Sequence, residues 1–295
     1  MAKFSLRDRF VEWLISLQRK TNGLVRKAVQ VEGESWHYLE GGPPDAEHVF
    51  LLLHGFGSHK DTWIRLGGIL VKKRCRVIAV DLPGFGESAR HQHWSYDMVA
   101  QRQRLHGFVL ALQLQGLHIV GNSMGGYLAA LYAHEQGQHV ASLGLLNNAG
   151  VTPLRESEMR AAVARGENPL LVQNLDDFDR LLDFVMHIKQ PMPGMVKRYL
   201  AERALERRDF NAQIFAQVTD ELAQGLEPIF PHIKMPTLVL WGRQDRVIDV
   251  SCVEVMRGLL PQARSVILEE TGHLPHFERP YQVAEHLLEL AAARR

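Results

Sequence analysis

The chain has 295 residues, enough for one large α/β domain with an inserted subdomain, and 46% hydrophobic against 23% charged residues is the balance of a soluble globule with a substantial core. A net charge of +1 excludes a general nucleic-acid binder, although the cations are uneven: Lys3, Arg7, Arg9, Arg19, Lys20, Arg26 and Lys27 are opposed only by Asp8 and Glu12 up to residue 27. Cys75 and Cys252 stand far apart without metal-ligand spacing, no apolar run approaches the roughly 20 residues a bilayer span needs, and no signal-peptide pattern opens the chain, so the expected location is the reducing cytoplasm.

Leu6, Phe10, Trp13, Leu14 and Leu17 recur at helical spacing among charged residues, which predicts an amphipathic helix in an N-terminal segment, residues 1–27. Two readings of its apolar stripe stand. It docks on the body of the protein or on a second subunit of a homo-oligomer, or it enters a membrane interface while the basic residues meet anionic headgroups.

Residues 29–32 and 35–40 around Gly33-Glu34 predict a hairpin, followed by the breaker Gly41-Gly42-Pro43-Pro44. A buried strand over 48–53 stops at His54-Gly55-Phe56-Gly57, and Ser58 with Asp61 reads as a capped helix start, leaving Asp61 a cap rather than a catalyst. The next strand, 76–80, ends at Asp81-Leu82-Pro83-Gly84, where the carboxylate is expected to fix the turn. His91 and His93 read as solvated loop residues. A helix over 96–114 leads to Leu117-His118-Ile119-Val120-Gly121-Asn122-Ser123-Met124-Gly125-Gly126-Tyr127, which reads as strand, sharp turn and helix with Ser123 at the apex. Its glycines suit a turn where strand and helix pass close together. A further buried strand, 140–146, ends at Asn147-Asn148-Ala149-Gly150.

Strands alternating with helices imply a mostly parallel central sheet with helices on both faces. From residue 153 to 232 the alternation stops and helical periodicity takes over, so this block reads as a helical cap inserted into a core formed by 28–152 and 233–295. Phe178, Leu181, Leu182 and Val185 share one helical face there, and Asp176, Asp177 and Asp179 read as a helix start with a solvated acidic face. The stretch holding Met186, Ile188, Met192 and Met195 reads either as cap core or as the lining of an apolar substrate channel. The sheet resumes at 237–242, whose end carries Arg243-Gln244-Asp245, and a last strand, 265–268, precedes Gly272-His273-Leu274-Pro275-His276. A helix over 281–292 closes the chain.

Ser123, Asp245 and His273 each follow an apolar strand, and in a parallel sheet those C-terminal strand ends share one edge, where open α/β folds place their sites. A serine hydroxyl is a weak nucleophile at neutral pH, so His273 is expected to take its proton and return it to the leaving group, with Asp245 holding the tautomer. His276 and Asp249 are the competing base and acid. The amides of Met124 and Phe56 are the expected oxyanion donors.

These motifs resemble the α/β-hydrolase fold superfamily from about Val49 to the C-terminus. The segments His54-Gly55-Phe56-Gly57 through Trp63, Gly121-Asn122-Ser123-Met124-Gly125-Gly126 and Trp241-Gly242-Arg243-Gln244-Asp245 resemble the monoacylglycerol lipases with this domain and related bacterial lipases, and Asn147-Asn148-Ala149-Gly150 is similar to the bacterial lipase pattern. That resemblance implies a serine hydrolase acting on a lipid or other small carboxylic ester, through an acyl-enzyme, without metal or cofactor. The chain also resembles the meta-cleavage-product hydrolases, which cut carbon-carbon bonds. Those generally carry Trp after the triad histidine, where this chain has Leu274, and their acidic substrate would call on Arg155, Arg160 or Arg180.

Overall fold

The computed structural model describes residues 5–223 and 225–293, apart from the side chains of Asp220, Glu221 and Ala223. Lys3, counted above among the basic residues, lies outside the described residues. In chain order the elements are α1 (Leu6–Thr21), β1 (Leu24–Val31), β2 (Glu34–Gly41), β3 (Val49–Leu53), α2 (Ile64–Lys72), β4 (Arg76–Val80), α3 (Met98–Ala111), β5 (Leu117–Asn122), α4 (Met124–Glu135) and β6 (Val140–Leu146). Then come α5 (Glu158–Ala164), α6 (Leu175–Val185), α7 (Gly194–Glu206), α8 (Arg208–Ala223), β7 (Thr237–Gly242), α9 (Cys252–Leu259), β8 (Arg264–Leu268), α10 (Pro275–Glu278) and α11 (Pro280–Ala292).

The eight strands form one sheet in the order β1-β2-β4-β3-β5-β6-β7-β8. From β4 to β8 every pairing is parallel, and only β1 and β2 run antiparallel to their neighbours. β5, β6 and β7 are covered on both faces and buried at every position, so they are largely apolar, with His118, Asn122, Ser142 and Thr237 the polar residues among them. One core lies between the sheet and the α3–α4–α9 side, built on Leu51, Ile119, Leu128, Leu143 and Trp241. The other lies under α2 and α11, around Phe50, Leu66, Val120, Leu240 and Leu287.

Between β6 and β7 the described residues form four α-helices and no strand. Helix α6 begins on a capping box, with the Asn174 side chain accepting from the Asp177 amide, so the acidic trio does mark a helix start. Its apolar face splits between two small clusters, one around Met159, Val185, Met186 and Val247 and one around Val172, Phe178 and Ala201.

Three expectations need correction. The N-terminal helix does not extend to residue 27 but stops at Thr21: Gly23 takes φ +70 and β1 starts at Leu24. Arg26 and Lys27 belong to that edge strand and point outward to Glu87 and Glu40. Asp61 does not cap through Ser58. It lies in a 3-10 turn, Lys60–Trp63, capped by the His59 side chain, and its carboxylate takes a two-pronged bond from Arg19 of α1 at 2.6 and 2.7 Å. Finally, most of the stripe on α1 does not dock on the body: Leu14 is half-buried, but Leu6, Phe10, Trp13 and Leu17 are exposed. Val11 is buried, but the polar side makes the other attachments: Arg19 to Asp61, Arg7 to Glu202 of α7, and the Tyr199 hydroxyl to Glu12.

Asp81 fixes its turn, as expected, and does more. Its two oxygens accept the amides of Lys60 (2.7 Å) and Glu87 (2.8 Å), and Oδ2 takes the Lys60 ammonium at 2.6 Å. Both side chains are almost wholly buried. Burial would raise the Asp81 pKa, yet the charge of Lys60 opposes it and holds the carboxyl below its ordinary value. Breaking such a pair leaves an uncompensated buried ion. Asp81→Asn should therefore lower the unfolding free energy by about 3 kcal/mol at pH 7, the low end of the usual range because Glu87 still faces Lys60. Adding Lys60→Met should recover part of the loss in urea titrations. A depressed carboxyl contributes fully above the unfolded value of about 4 and loses its effect as pH falls through the folded value, so the deficit should persist at pH 5 and shrink only in stronger acid.

Candidate active site

Strand β5 runs straight into α4 through Ser123, whose backbone sits at φ 56, ψ −121. A side chain held in that region costs roughly 1–3 kcal/mol and persists only where its surroundings fix it. The turn is fixed from two sides: the Ser123 amide donates to Leu146 O at 3.1 Å, and Ser123 O accepts the Ala149 amide at 3.0 Å. Small neighbours are compulsory. A Cβ on Gly121 would lie 2.0 Å from Gly125 O, and one on Gly125 would lie 2.3 Å from Leu53 O.

The His54-Gly55-Phe56-Gly57 turn packs against this apex, since a Cβ on Gly55 would come within 3.2 Å of the Ser123 Cβ. His54 holds the turn with both ring nitrogens: Nδ1 donates to Gly55 O at 2.8 Å, and Nε2 accepts the Leu82 amide at 3.1 Å. Complete burial pushes its pKa down to about 4, so it is neutral and has no free nitrogen. Met124 is the first residue of α4, and the first amides of a helix have no acceptor within it.

Asp245 follows β7 in a tight loop, where Oδ1 accepts the amides of Val247 (2.8 Å) and Ile248 (3.1 Å). Oδ2 accepts from Asn147 Nδ2 at 2.7 Å and from His273 Nδ1 at 2.8 Å. A carboxylate held by amides can only accept, so the proton sits on Nδ1 and His273 Nε2 is left as the basic nitrogen. Both side chains are at most 5% exposed. The His273 loop is also tied to the serine turn, because Asn122 Nδ2, one residue before Ser123, donates to His273 O at 3.0 Å.

The two competing assignments lie elsewhere. His276 is sealed behind the site, stacked on Trp63 at 4.0 Å with Nε2 3.1 Å from Thr62 Oγ1, and burial pushes its pKa down to about 3. Asp249 accepts the Ser251 amide at 2.9 Å and the Arg155 guanidinium at 3.2 Å.

The four apolar cap positions named from the sequence do not form one stripe. Met186 is buried in the cluster with Met159, Val185 and Val247, against which Leu274, Phe215 and Ile248 pack. Ile188 and Met192 are half-buried, and Met195 is exposed at the start of α7. Phe215 of α8, not singled out in the sequence, makes an edge contact with Phe56 at 5.2 Å and so bridges the turn after β3 to the Met186 cluster. Asn122 and Asn147 were missed as well; the run of asparagines after β6 was the available signal.

A model of the α/β-hydrolase fold family matches residues 48–280. Lipase 1 of Psychrobacter immobilis is 32% identical over 275 residues, spanning 92% of this chain and 86% of that protein. Monoacylglycerol lipase ABHD6 of Mus musculus is 29% identical over 287 residues, 93% of this chain and 84% of the relative. Among solved structures, a membrane phospholipase A described as a bacterial virulence factor superposes with a TM-score of 0.95 at 45% identity, covering 98% of this chain and 93% of that one. With a serine at the strained strand-helix turn and an ester-cleaving kinship along nearly its whole length, the chain belongs to the α/β-hydrolase fold family as a serine-hydrolase-type enzyme acting on ester bonds, related to bacterial lipases and the monoacylglycerol lipases.

Proposed function

We propose that Ser123, His273 and Asp245 act as nucleophile, base and acid in the cleavage of monoacylglycerols or other medium-chain acyl esters. The observation that carries this reading is the His273–Asp245 bond, which occupies Nδ1 and so makes Nε2 the nitrogen that can take a proton, on a loop tied to the serine turn. Ser123 Oγ attacks the ester carbon while its proton passes to Nε2, and the carbonyl oxygen becomes an oxyanion facing the amides of Met124 and Phe56. Each such donor is worth about 3 kcal/mol of barrier. Collapse expels the alcohol, which takes the proton from Nε2, and water repeats the sequence on the acyl-enzyme.

Neither His54 nor His276 suits the base: the first has both nitrogens engaged, and the second is held neutral by burial far below physiological pH. The carbon-carbon alternative lacks its acid receptor, since Arg155 and Arg180 are exposed and paired with Asp249 and Asp177, and Arg160 is exposed. The wall formed by Phe56, Phe215, Met186 and Leu274 suits an apolar acyl group.

The reading extends to a membrane surface as the place of the substrate. No helix among the described residues is long and apolar enough to cross a membrane. Helix α1 nevertheless turns Leu6, Phe10, Trp13 and Leu17 outward at 84, 47, 56 and 43% exposure, and the rings of Phe10 and Trp13 stack. Exposed Arg9 and Lys20 flank the stripe, so anionic headgroups fit beside it.

Ser123→Ala and His273→Ala should each lower kcat by about 10⁴-fold or more, with His276→Ala retaining turnover; a dead His276 variant beside an active His273 variant would reverse the assignment. In kcat/KM, medium-chain esters should exceed acetate by up to about fourfold per added CH₂, at about 0.8 kcal/mol each, and a preference for acetate would contradict the apolar wall. Replacing Phe10, Trp13 and Leu17 with Ser should abolish flotation with phosphatidylglycerol vesicles, leave turnover of a soluble ester intact, and mimic the effect of high salt on the wild type in kind. Unchanged flotation would refute the membrane surface. Conversion of a dimer to a monomer by the same replacements would assign the stripe to a second copy.

A further inference from the structure

Five residues after His273, at the end of α10, stands Glu278, a buried carboxylate at 5% exposure that makes no ion pair among the described residues. Its Oε1 accepts the amides of Gly272 (3.0 Å) and Leu274 (3.4 Å), the two residues that flank His273. Its Oε2 accepts the amides of His187 (2.9 Å) and Ile188 (2.7 Å), on the segment that leaves α6. The same junction is closed by the His273 amide, which donates to Val185 O at 2.9 Å.

Two segments far apart in sequence are thus gathered on one side chain. They approach so closely that a Cβ on Gly272 would lie 2.7 Å from the His187 nitrogen. Arg65 supports the seam from α2, reaching Gln190 Oε1 at 2.8 Å and Phe277 O at 3.4 Å.

An ionised carboxylate without a cation is expensive to bury, and here burial raises the pKa of Glu278 although four amides act against it. If the acid only closed the four-residue α10, the bonds to Gly272 and Leu274 would suffice. Half of its bonding capacity instead goes to the cap segment that carries Met186, the apolar wall beside the site.

We propose that Glu278 is the positioning residue for His273: it holds the imidazole loop and the Met186–Ile188 segment as one body, so that the base keeps its aim at Ser123 only while that cap segment is seated. This rests on the triad assignment above. Glutamine in its place keeps one accepting oxygen and turns an NH₂ toward two amide donors, so one of the two segments comes loose. Aspartate keeps the charge but is one CH₂ too short to serve both.

The test measures kcat and KM for a p-nitrophenyl acetate ester per active site titrated with a fluorophosphonate, in the wild type, Glu278→Gln and Glu278→Asp. Acetate barely reaches the cap wall, so the expected result is a kcat about 10- to 100-fold lower in Glu278→Gln with KM within about twofold. Glu278→Asp should lie between it and the wild type. Unchanged kcat per titrated site, with only a lower Tm, would overturn the proposal and leave Glu278 a structural tie. If Glu278→Gln does not fold, Glu278→Asp decides by the same readout. A wild type that takes no label at Ser123 would overturn the triad reading itself, whereas labelling with unaltered kcat in the variants overturns this proposal alone.

Discussion

Everything at the site hangs on one close approach, where the end of β5 and the start of α4 pass each other at Gly121 and Gly125 with no room for a Cβ. That contact forces Ser123 into its left-handed conformation, and the amides and carbonyls of the β6 end lock it there. The strain has a use. It places the Ser123 side chain and the first amide of α4 on the two sides of a single backbone bend, which is what the proposed nucleophile and oxyanion donor require. The turn after β3, which carries the proposed second donor, is packed against that bend and locked by His54.

The acid and base are held by the opposite strategy, saturation instead of strain. Asp245 receives two backbone amides, Asn147 and His273, so its lone pairs are met by fixed donors and no solvent is needed to support its charge. Asn147 comes from the end of β6 and Asn122 from the end of β5, so each link between the three loops originates at a strand terminus. A rigid sheet edge therefore sets the distances, and the cap contributes at its own seam with the His273 loop. The Lys60–Asp81 pair does the equivalent for the loops beneath the oxyanion turn, and Arg19 to Asp61 fastens α1 to the same region.

What was legible in the sequence follows from these physical patterns. Strands buried on both faces are mostly apolar, so β3 to β7 stood out as short greasy runs, and β6 and β7 were located to the residue. Ser123 and Asp245 could be singled out because each follows such a run, and His273 because it follows the partly buried edge strand β8. The edge was harder to read: β1 is buried only at Leu24 and Val31 and exposed along most of its length between them, and its Arg26 and Lys27 looked like a continuation of the basic helix. The seating of α1 was invisible because it depends on ion pairs to Asp61 and Glu202, which only the fold brings near. Asn122, Asn147 and Glu278 escaped for a related reason. Their partners are mostly backbone groups of distant segments, and backbone groups leave no mark in a sequence. Met195 was misread in the other direction, since an apolar composition alone does not say which face of the cap a residue occupies.

If the strained turn is what makes a serine nucleophilic, Ser123 alone among the serines of the chain should react. Peptide mapping by mass spectrometry after treatment with a fluorophosphonate tests it directly. A single stoichiometric adduct on the peptide that carries Ser123, formed more slowly in the presence of a medium-chain ester, is the predicted result. An adduct on another serine, or none in protein that still hydrolyses esters, would contradict it.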